Sequence, residues 1–427
     1  MPTAHQDSEY LDRRKETMSE EERRPILNDL LGRTLELAFL NSRAYGEIYG
    51  QAGVQPGDVK DIDDLSRLPL LRMSDLVERQ NQNPPFGGFE TVPPDRFQRV
   101  YVNPGLIYQP GGWEDEDTSW AEAMCGAGFK RGDRLINTFN YHLWPFAFML
   151  DESAKMIGAS LVPAGAGNIL MQVRILQTLE IKGFLGTPSF LMSLAQRAEG
   201  LGLEVRRDLA LEAAMVGAEM LPESLRQRLE DKLGITIRQC YGTVFLGCLG
   251  YECRHATGLH VPENVIVEIV DPVTGRPVPE GVTGEIVATR FNPAYPMIRL
   301  ATGDLSLFSR EQCPCGRTGP MLKKVLGRVD QATKVGSTFV HPWQADELMA
   351  RYPEAFKYQV VVTRDRDVDR MTFHVEIDEG QSDPDRIQRR IERDIEEVLG
   401  VKGEVKAVPR GTIPDFHKKI DDRRQWD

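Results

Sequence analysis

The chain has 427 residues, 41% hydrophobic and 27% charged, with a formal net charge of −12. That length exceeds what one hydrophobic core organises, so two or more domains are expected. The negative charge argues against nucleic acid or an anionic membrane surface as main partner, while leaving room for a local basic pocket for phosphates.

Residues 1–20 read as a frayed leader, too polar for a signal peptide. A helix follows, with Leu27, Leu30, Leu31, Leu35 and Ala38 at helical spacing. From Tyr45 to Gln82 short helical patterns alternate with turns such as Gln55-Pro56-Gly57-Asp58, and 83–112 reads as Pro/Gly-rich loop around a strand at Gln98–Val102. Strands are then expected at 133–137, 159–163, 183–186 and 213–216, separated by amphipathic segments. This alternation favours a mainly parallel sheet covered by helices. After Tyr241 the chain turns β-rich, with Val265–Val270 and Gly284–Thr289 flanking a turn region.

From Thr333 a small α+β unit is expected. Strands at Lys357–Thr363 and Met371–Ile377 precede a helix that opens at Asp383-Pro384, carries Ile387, Ile391, Ile395 and Val398 on one face, and stops at Gly400. The fold class is therefore α/β. Residues 1–328 form a large multi-subdomain unit with parallel sheets and a β-rich subdomain, and 329–427 form a small ferredoxin-like α+β domain. No run reaches the ~18–20 apolar residues of a membrane span. Six cysteines are too few for a disulfide scaffold, which points to the cytoplasm.

The most specific stretch is Pro296-Met297-Ile298-Arg299-Leu300-Ala301-Thr302-Gly303-Asp304-Leu305, followed by Cys313-Pro314-Cys315-Gly316-Arg317 and Gly327-Arg328-Val329-Asp330. Upstream lie Gly217-Ala218-Glu219 and Tyr241-Gly242-Thr243; near the end Gly411-Thr412-Ile413-Pro414 precedes Lys419. This order, extending over most of the chain, resembles the phenylacetate–CoA ligase branch of the adenylate-forming superfamily. The resemblance implies a carboxylic acid–CoA ligase that uses ATP, forms an acyl-adenylate and releases AMP. It implies Gly217, Ala218, Glu219, Tyr241, Gly242 and Thr243 around adenine, with Asp304 and Arg328 on the ribose. It also implies Mg²⁺, a homodimer, Asp330 as the hinge before a mobile small domain, and Lys419 on the reacting carboxylate and phosphate.

The chemistry suits these residue types. A carboxylate accepts from both ribose hydroxyls, and glycine beside it lets backbone approach closely. Arg328 donates from the other side, and a lysine stabilises charge developing on phosphoryl oxygens. The plainer readings are a turn acid, a surface base and a solvated basic tail, in which Lys418 competes with Lys419. Separately, Cys253, His260, Cys313 and Cys315 make a complete tetrahedral Zn²⁺ set, closed and hence structural. Cys248 and His255 are alternative donors; Cys125 and Cys240 read as core thiols.

Two departures from the family pattern concern the pyrophosphate half of the nucleotide. Where the family has a Ser/Thr/Gly-rich phosphate loop, this chain reads Val102-Asn103-Pro104-Gly105-Leu106-Ile107-Tyr108-Gln109-Pro110-Gly111-Gly112, without a hydroxyl-bearing Ser or Thr. After Thr243, where a Mg²⁺-holding glutamate is usual, stand Val244 and Phe245, with Glu219 or Glu252 as substitutes. Tyr141, His142 and Phe146 are expected near an aryl or medium acyl group, against the plainer reading of aromatic core. Two rivals remain open: an AMP- or acyl-CoA-binding protein that lost ATP activation, and a transferase or ligase with a non-CoA acceptor.

Overall fold

The computed structural model describes residues 9–112, 117–309, 311–329, 333–335, 338–340, 342–365, 368–377, 384–414 and 418–424. The chain divides into two compact units, Met1–Thr302 with Ser306–Val325, and Gly303–Leu305 with Leu326–Asp427.

The first unit begins with α1 (Arg13–Glu16), α2 (Glu20–Asn41), α3 (Arg43–Ala52) and α4 (Met73–Gln82). The expected frayed leader is corrected over residues 9–20. Asp12 caps α1, and Ser19 and Glu22 form a capping box on α2. Glu16 is 2% exposed and receives the Arg317 Nε at 2.8 Å, while Arg317 lies over the Tyr10 ring. No local pattern reveals such a partner, because Arg317 stands 301 residues away. In α2, Leu31, Leu35 and Ala38 are buried as their spacing predicts.

Next come β1 (Phe97–Asn103) and β2 (Ile107–Gly112), an antiparallel pair closed by Pro104-Gly105-Leu106. Sequence reading anticipated β1 and assigned the β2 residues to a loop.

The central architecture follows as α5 (Ser119–Gly126), β3 (Arg134–Asn137), α6 (Phe146–Ile157), β4 (Ser160–Pro163), α7 (Ile169–Thr178), β5 (Gly183–Gly186), α8 (Pro188–Gly200), α9 (Val205–Asp208), β6 (Ala213–Val216), α10 (Glu223–Leu233) and β7 (Thr236–Thr243). Strands β7, β6, β5, β3 and β4 lie side by side in that order, all parallel. The helices between them bury Val173, Leu191, Leu194 and Leu229 against Ile136, Phe184 and Val216 of the strands. Antiparallel β8 (Gly247–Tyr251), β9 (Leu259–His260) and β13 (Met321–Leu322) extend this sheet beyond β7.

The β-rich part contains the expected hairpin, β10 (Val265–Val270) with β11 (Gly284–Arg290), and β12 (Met297–Ser306). Arg299 of β12 is 1% exposed. Its guanidinium meets Glu268 at 2.9 and 3.0 Å and donates to the carbonyls of Leu68 and Gly275 at 2.5 and 2.9 Å. One side chain thereby ties three segments of distant sequence into one core.

In the second unit, β14 (Gly327–Arg328) pairs with the end of β12, and β15 (Thr333–Val335) pairs with β16 (Thr338–Val340). Then follow α11 (Pro342–Met349), β17 (Ala355–Asp365), β18 (Val368–Ile377), α12 (Pro384–Leu399), β19 (Glu404–Val408) and β20 (Ile420–Asp422). Ile387, Ile391 and Ile395 of α12 are buried against Val360, Val362, Phe373 and Val375. The sheet order is β19-β18-β17-β20. This is the expected α+β unit with one difference of order: β19 lies directly beside β18 and parallel to it, where a ferredoxin-like split βαβ interposes a strand. Among the described residues no helix is long and apolar enough to cross a membrane.

Removing one partner of a buried, hydrogen-bonded ion pair strands the other charge in the core. Arg299→Ala is therefore expected to lower unfolding free energy by about 3–5 kcal/mol, measured by urea titration. The double variant Arg299→Met/Glu268→Met should lose clearly less, and equal losses would show that the stranded charge is not the cause.

Candidate active site

Because β3, β5, β6 and β7 run parallel, their carboxyl ends and the loops that follow lie along one edge, the usual ligand edge of such sheets. A cavity of about 390 Å³ opens there. Trp120, Phe139, Trp144, Phe146 and Phe190 contribute an aromatic wall, and Gly217, Ala218, Gly242, Thr243 and Val244 are among the other lining residues. The glycines serve close approach: a Cβ on Gly242 would stand 2.8 Å from the Trp120 ring, and one on Gly217 would stand 2.9 Å from the Cys240 Sγ.

Five residues singled out from sequence, Gly217, Ala218, Gly242, Thr243 and Phe146, thus share one cavity. Glu219 bonds the Ser189 hydroxyl at 2.7 Å and its amide at 3.2 Å. Tyr241 packs its ring against the core formed by the N-terminal helices and β10–β12.

Tyr141 is elsewhere than on the described wall. Its hydroxyl donates to Asp151 at 2.5 Å and accepts from Asn137 at 2.9 Å, fastening the loop after β3. Burial, then the bond to Asp151, push this phenol well above the ordinary range. His142 is exposed and is not part of the wall either. Sequence reading missed Trp120, Phe139 and Phe190. The usable signal for Phe139 and Phe190 was position just past a strand end, where open α/β sheets place ligands.

In the second unit, Arg328 Nη1 meets Asp304 Oδ1 at 3.0 Å. Gly303 has φ +77, and a Cβ there would stand 2.8 Å from Arg328 Nη2. Lys419, one residue before β20, holds both Asp346 oxygens at 2.5 and 2.6 Å, and Tyr358 also donates to Asp346. Lys418 offers its carbonyl to Gln359 at 3.0 Å. Asp330 lies outside the described residues.

Cys253, His260, Cys313 and Cys315 converge, with their donor atoms all within 4.8 Å of one another. Cys253 and Cys313 are 3.4 Å apart at sulfur, and Cys315 Sγ is 3.5 Å from His260 Nε2. A hydrogen bond from Cys253, outweighing burial, holds the Cys315 thiol well below its usual range. His260 Nδ1 is buried without a hydrogen-bond partner. With Nε2 facing the sulfurs, three sulfurs and one imidazole nitrogen fit a closed tetrahedral zinc site. The alternatives fall away: Cys248 is buried outside this cluster, and His255 is exposed beside Arg254.

Of the substitutes considered for the missing metal-site carboxylate, Glu252 is committed to Arg226, at 2.7 and 2.8 Å with both side chains buried. Phe245 is 3% exposed and belongs to the apolar core.

Comparison with known proteins agrees with this geometry. Residues 119–292 match the family described as AMP-binding enzyme, and 337–424 match the AMP-binding enzyme C-terminal domain. A phenylacetate–coenzyme A ligase of Thermus thermophilus is 30% identical, covering 93% of this chain and 95% of that protein. One from Aromatoleum evansii is 28% identical, covering 96% of each. A crystal structure of an open conformation of 2-hydroxyisobutyryl-CoA ligase, in complex with 2-HIB-AMP and CoA, is 26% identical. It covers 99% of this chain and 96% of its own, with a TM-score of 0.87. With the aromatic-walled cavity at the sheet edge and the motif order around it, these near-full-length matches establish that the chain belongs to the phenylacetate–coenzyme A ligase family of AMP-binding enzymes.

Proposed function

We propose that this protein joins a carboxylic acid to coenzyme A through an acyl-adenylate. The observation that carries the reading is one cavity whose lining combines aromatic rings with the small residues Gly217, Ala218, Gly242 and Thr243. An acyl-adenylate asks for both: an apolar acyl group and, joined to it through phosphate and ribose, a flat base that needs close backbone approach. In the full reaction, carboxylate and ATP give acyl-adenylate and pyrophosphate, and the CoA thiol then displaces AMP.

In this reading Asp304 accepts the ribose hydroxyls and Arg328 holds the carboxylate in place, supported by their contact at 3.0 Å. Tyr241 and Glu219 frame the adenine segment. Lys419 meets the reacting carboxylate and phosphate after exchanging its Asp346 partner for them. Residues 1–328 form the nucleotide- and acyl-binding domain and 329–427 the small mobile domain, with Asp330 as hinge; the grouping of Leu326–Asp427 into a separate compact unit supports this division. The acid is an aryl or medium acyl acid, supported by the aromatic wall. One Zn²⁺ sits among Cys253, His260, Cys313 and Cys315 in a structural role. Six cysteines without a disulfide support the cytoplasm as its compartment. A homodimer, implied by family resemblance, is read by sedimentation.

Asp304→Ala should weaken AMP binding by roughly 10- to 100-fold, the worth of one or two charge-assisted hydrogen bonds. Calorimetry on both proteins reads this directly, and unchanged affinity would remove Asp304 from the site. Gly303→Ala should cost about 1–2 kcal/mol of stability from its left-handed backbone alone. It should also displace Arg328 and weaken AMP; a variant as stable as the parent would contradict that geometry. Elemental analysis should find about one zinc per chain in the purified protein. Cys315→Ser should lose the metal and melt at lower temperature, whereas metal-free protein of undiminished stability would sink the zinc assignment.

A further inference from the structure

We propose that the working substrate at this cavity is a preformed acyl-adenylate, with thioester formation far outrunning activation of the acid by ATP. The proposal rests on reading the cavity as an acyl-adenylate site and concerns where that adenylate is made.

Gripping the β- and γ-phosphates of ATP takes free backbone N–H groups, hydroxyls, cationic side chains or a metal. The β1–β2 hairpin, where the family motif places that grip, has almost none to offer. From Val100 to Trp113 the sequence contains no Ser, Thr, Lys or Arg, and Pro104 and Pro110 carry no N–H; Arg99, the cation of β1, lies over the Phe148 ring. Antiparallel pairing turns the amides of Tyr101 and Gln109, and of Asn103 and Ile107, toward each other. Two outward amides beside the tip are taken as well. Val102 N–H donates to the Leu143 carbonyl at 3.0 Å, and Tyr108 N–H donates to Gln80 Oε1 at 2.8 Å. Among the described hairpin residues, Gly105 and Leu106 at the exposed tip, and Val100 opposite Pro110, have amides that this pattern does not assign.

The hairpin is also fixed in place. Gln80 returns a bond to the Tyr108 carbonyl at 2.7 Å. Gln109, 6% exposed, donates to the Val244 carbonyl at 2.6 Å and accepts from Asn103 at 3.1 Å. This bond ties the hairpin to the turn that a metal-binding carboxylate would have to occupy. That turn presents Phe245 to the apolar core instead, and the nearby Glu252 is neutralised by Arg226. A triphosphate therefore meets a closed ladder, whereas an acyl-adenylate, with a single phosphodiester charge, asks for none of these groups.

The step that remains balances without a further reactant. The CoA thiolate attacks the acyl carbonyl carbon, the C–S bond forms, and the acyl C–O bond to phosphate breaks. AMP leaves with that electron pair, and the thiol proton passes to solvent. The reaction class that supplies the substrate is ATP-dependent adenylation of a carboxylate with release of pyrophosphate.

The test uses the full-length protein and one acyl group in two forms. Phenylacetyl-adenylate with CoA is compared with phenylacetate, Mg-ATP and CoA, alongside pyrophosphate–ATP exchange. The expected result is thioester formation at least about 100-fold faster from the adenylate, with no exchange above background. ATP-driven formation within about tenfold of the adenylate-driven rate, accompanied by exchange, overturns the inference and leaves the ligase reading standing. No thioester from either form overturns both. A second measurement is independent of the acid: Mg-ATP should bind no tighter than AMP by calorimetry. Binding tighter by about tenfold or more would show that the hairpin does hold the added phosphates.

Discussion

The site depends on a single constraint, the shared direction of five neighbouring strands. Because β7, β6, β5, β3 and β4 are all parallel, β3, β4, β5 and β6 are each followed by a helical crossover, and the chain leaves all five strands at the same edge. The segments after β3, β5, β6 and β7 then meet although more than a hundred residues separate Phe139 from Val244 along the chain. Helices packed on the sheet hold those loop bases in place, so the cavity inherits the rigidity of the core beneath it.

Buried charge holds the first unit together over separations of 26, 31 and 301 residues. Arg299 with Glu268, Arg317 with Glu16 and Arg226 with Glu252 are each nearly removed from solvent and saturated with hydrogen bonds. Such pairs gain little against a well-packed apolar substitute, but they are unforgiving of a wrong partner. Here each joins parts of the chain that no local propensity would bring together. Arg317 also stands two residues from Cys315 and donates its amide to that sulfur at 3.4 Å. The N-terminal segment and the cysteine cluster are therefore built as one feature.

The nucleotide end is uneven in the same physical terms. At Gly217 and Gly242 the backbone of the cavity lining passes close to Cys240 and Trp120. The neighbouring hairpin spends its amides on its own ladder, on Leu143 and on Gln80. Family membership describes the first of these features well and the second poorly, and the chemistry of the chain follows from both.

Much of the fold was legible in the sequence. Strands β3 to β6 fall on the apolar runs marked from composition, and α12 follows from isoleucines spaced at four residues between Pro384 and Gly400. The four zinc-type donors could be named because cysteines in a Cys-Pro-Cys turn have few other uses in a reduced protein. These are local properties, which neighbouring residues determine. What only tertiary structure decided was contact between distant segments: Glu16 beneath Arg317, Tyr141 on Asp151 instead of the cavity wall, Trp120 and Phe190 on that wall, and β2 as a strand. Pro110 and the glycines around it hid β2 from any propensity argument, and its pairing with β1, Gln80 and Val244 supplied the stability that its own sequence lacks.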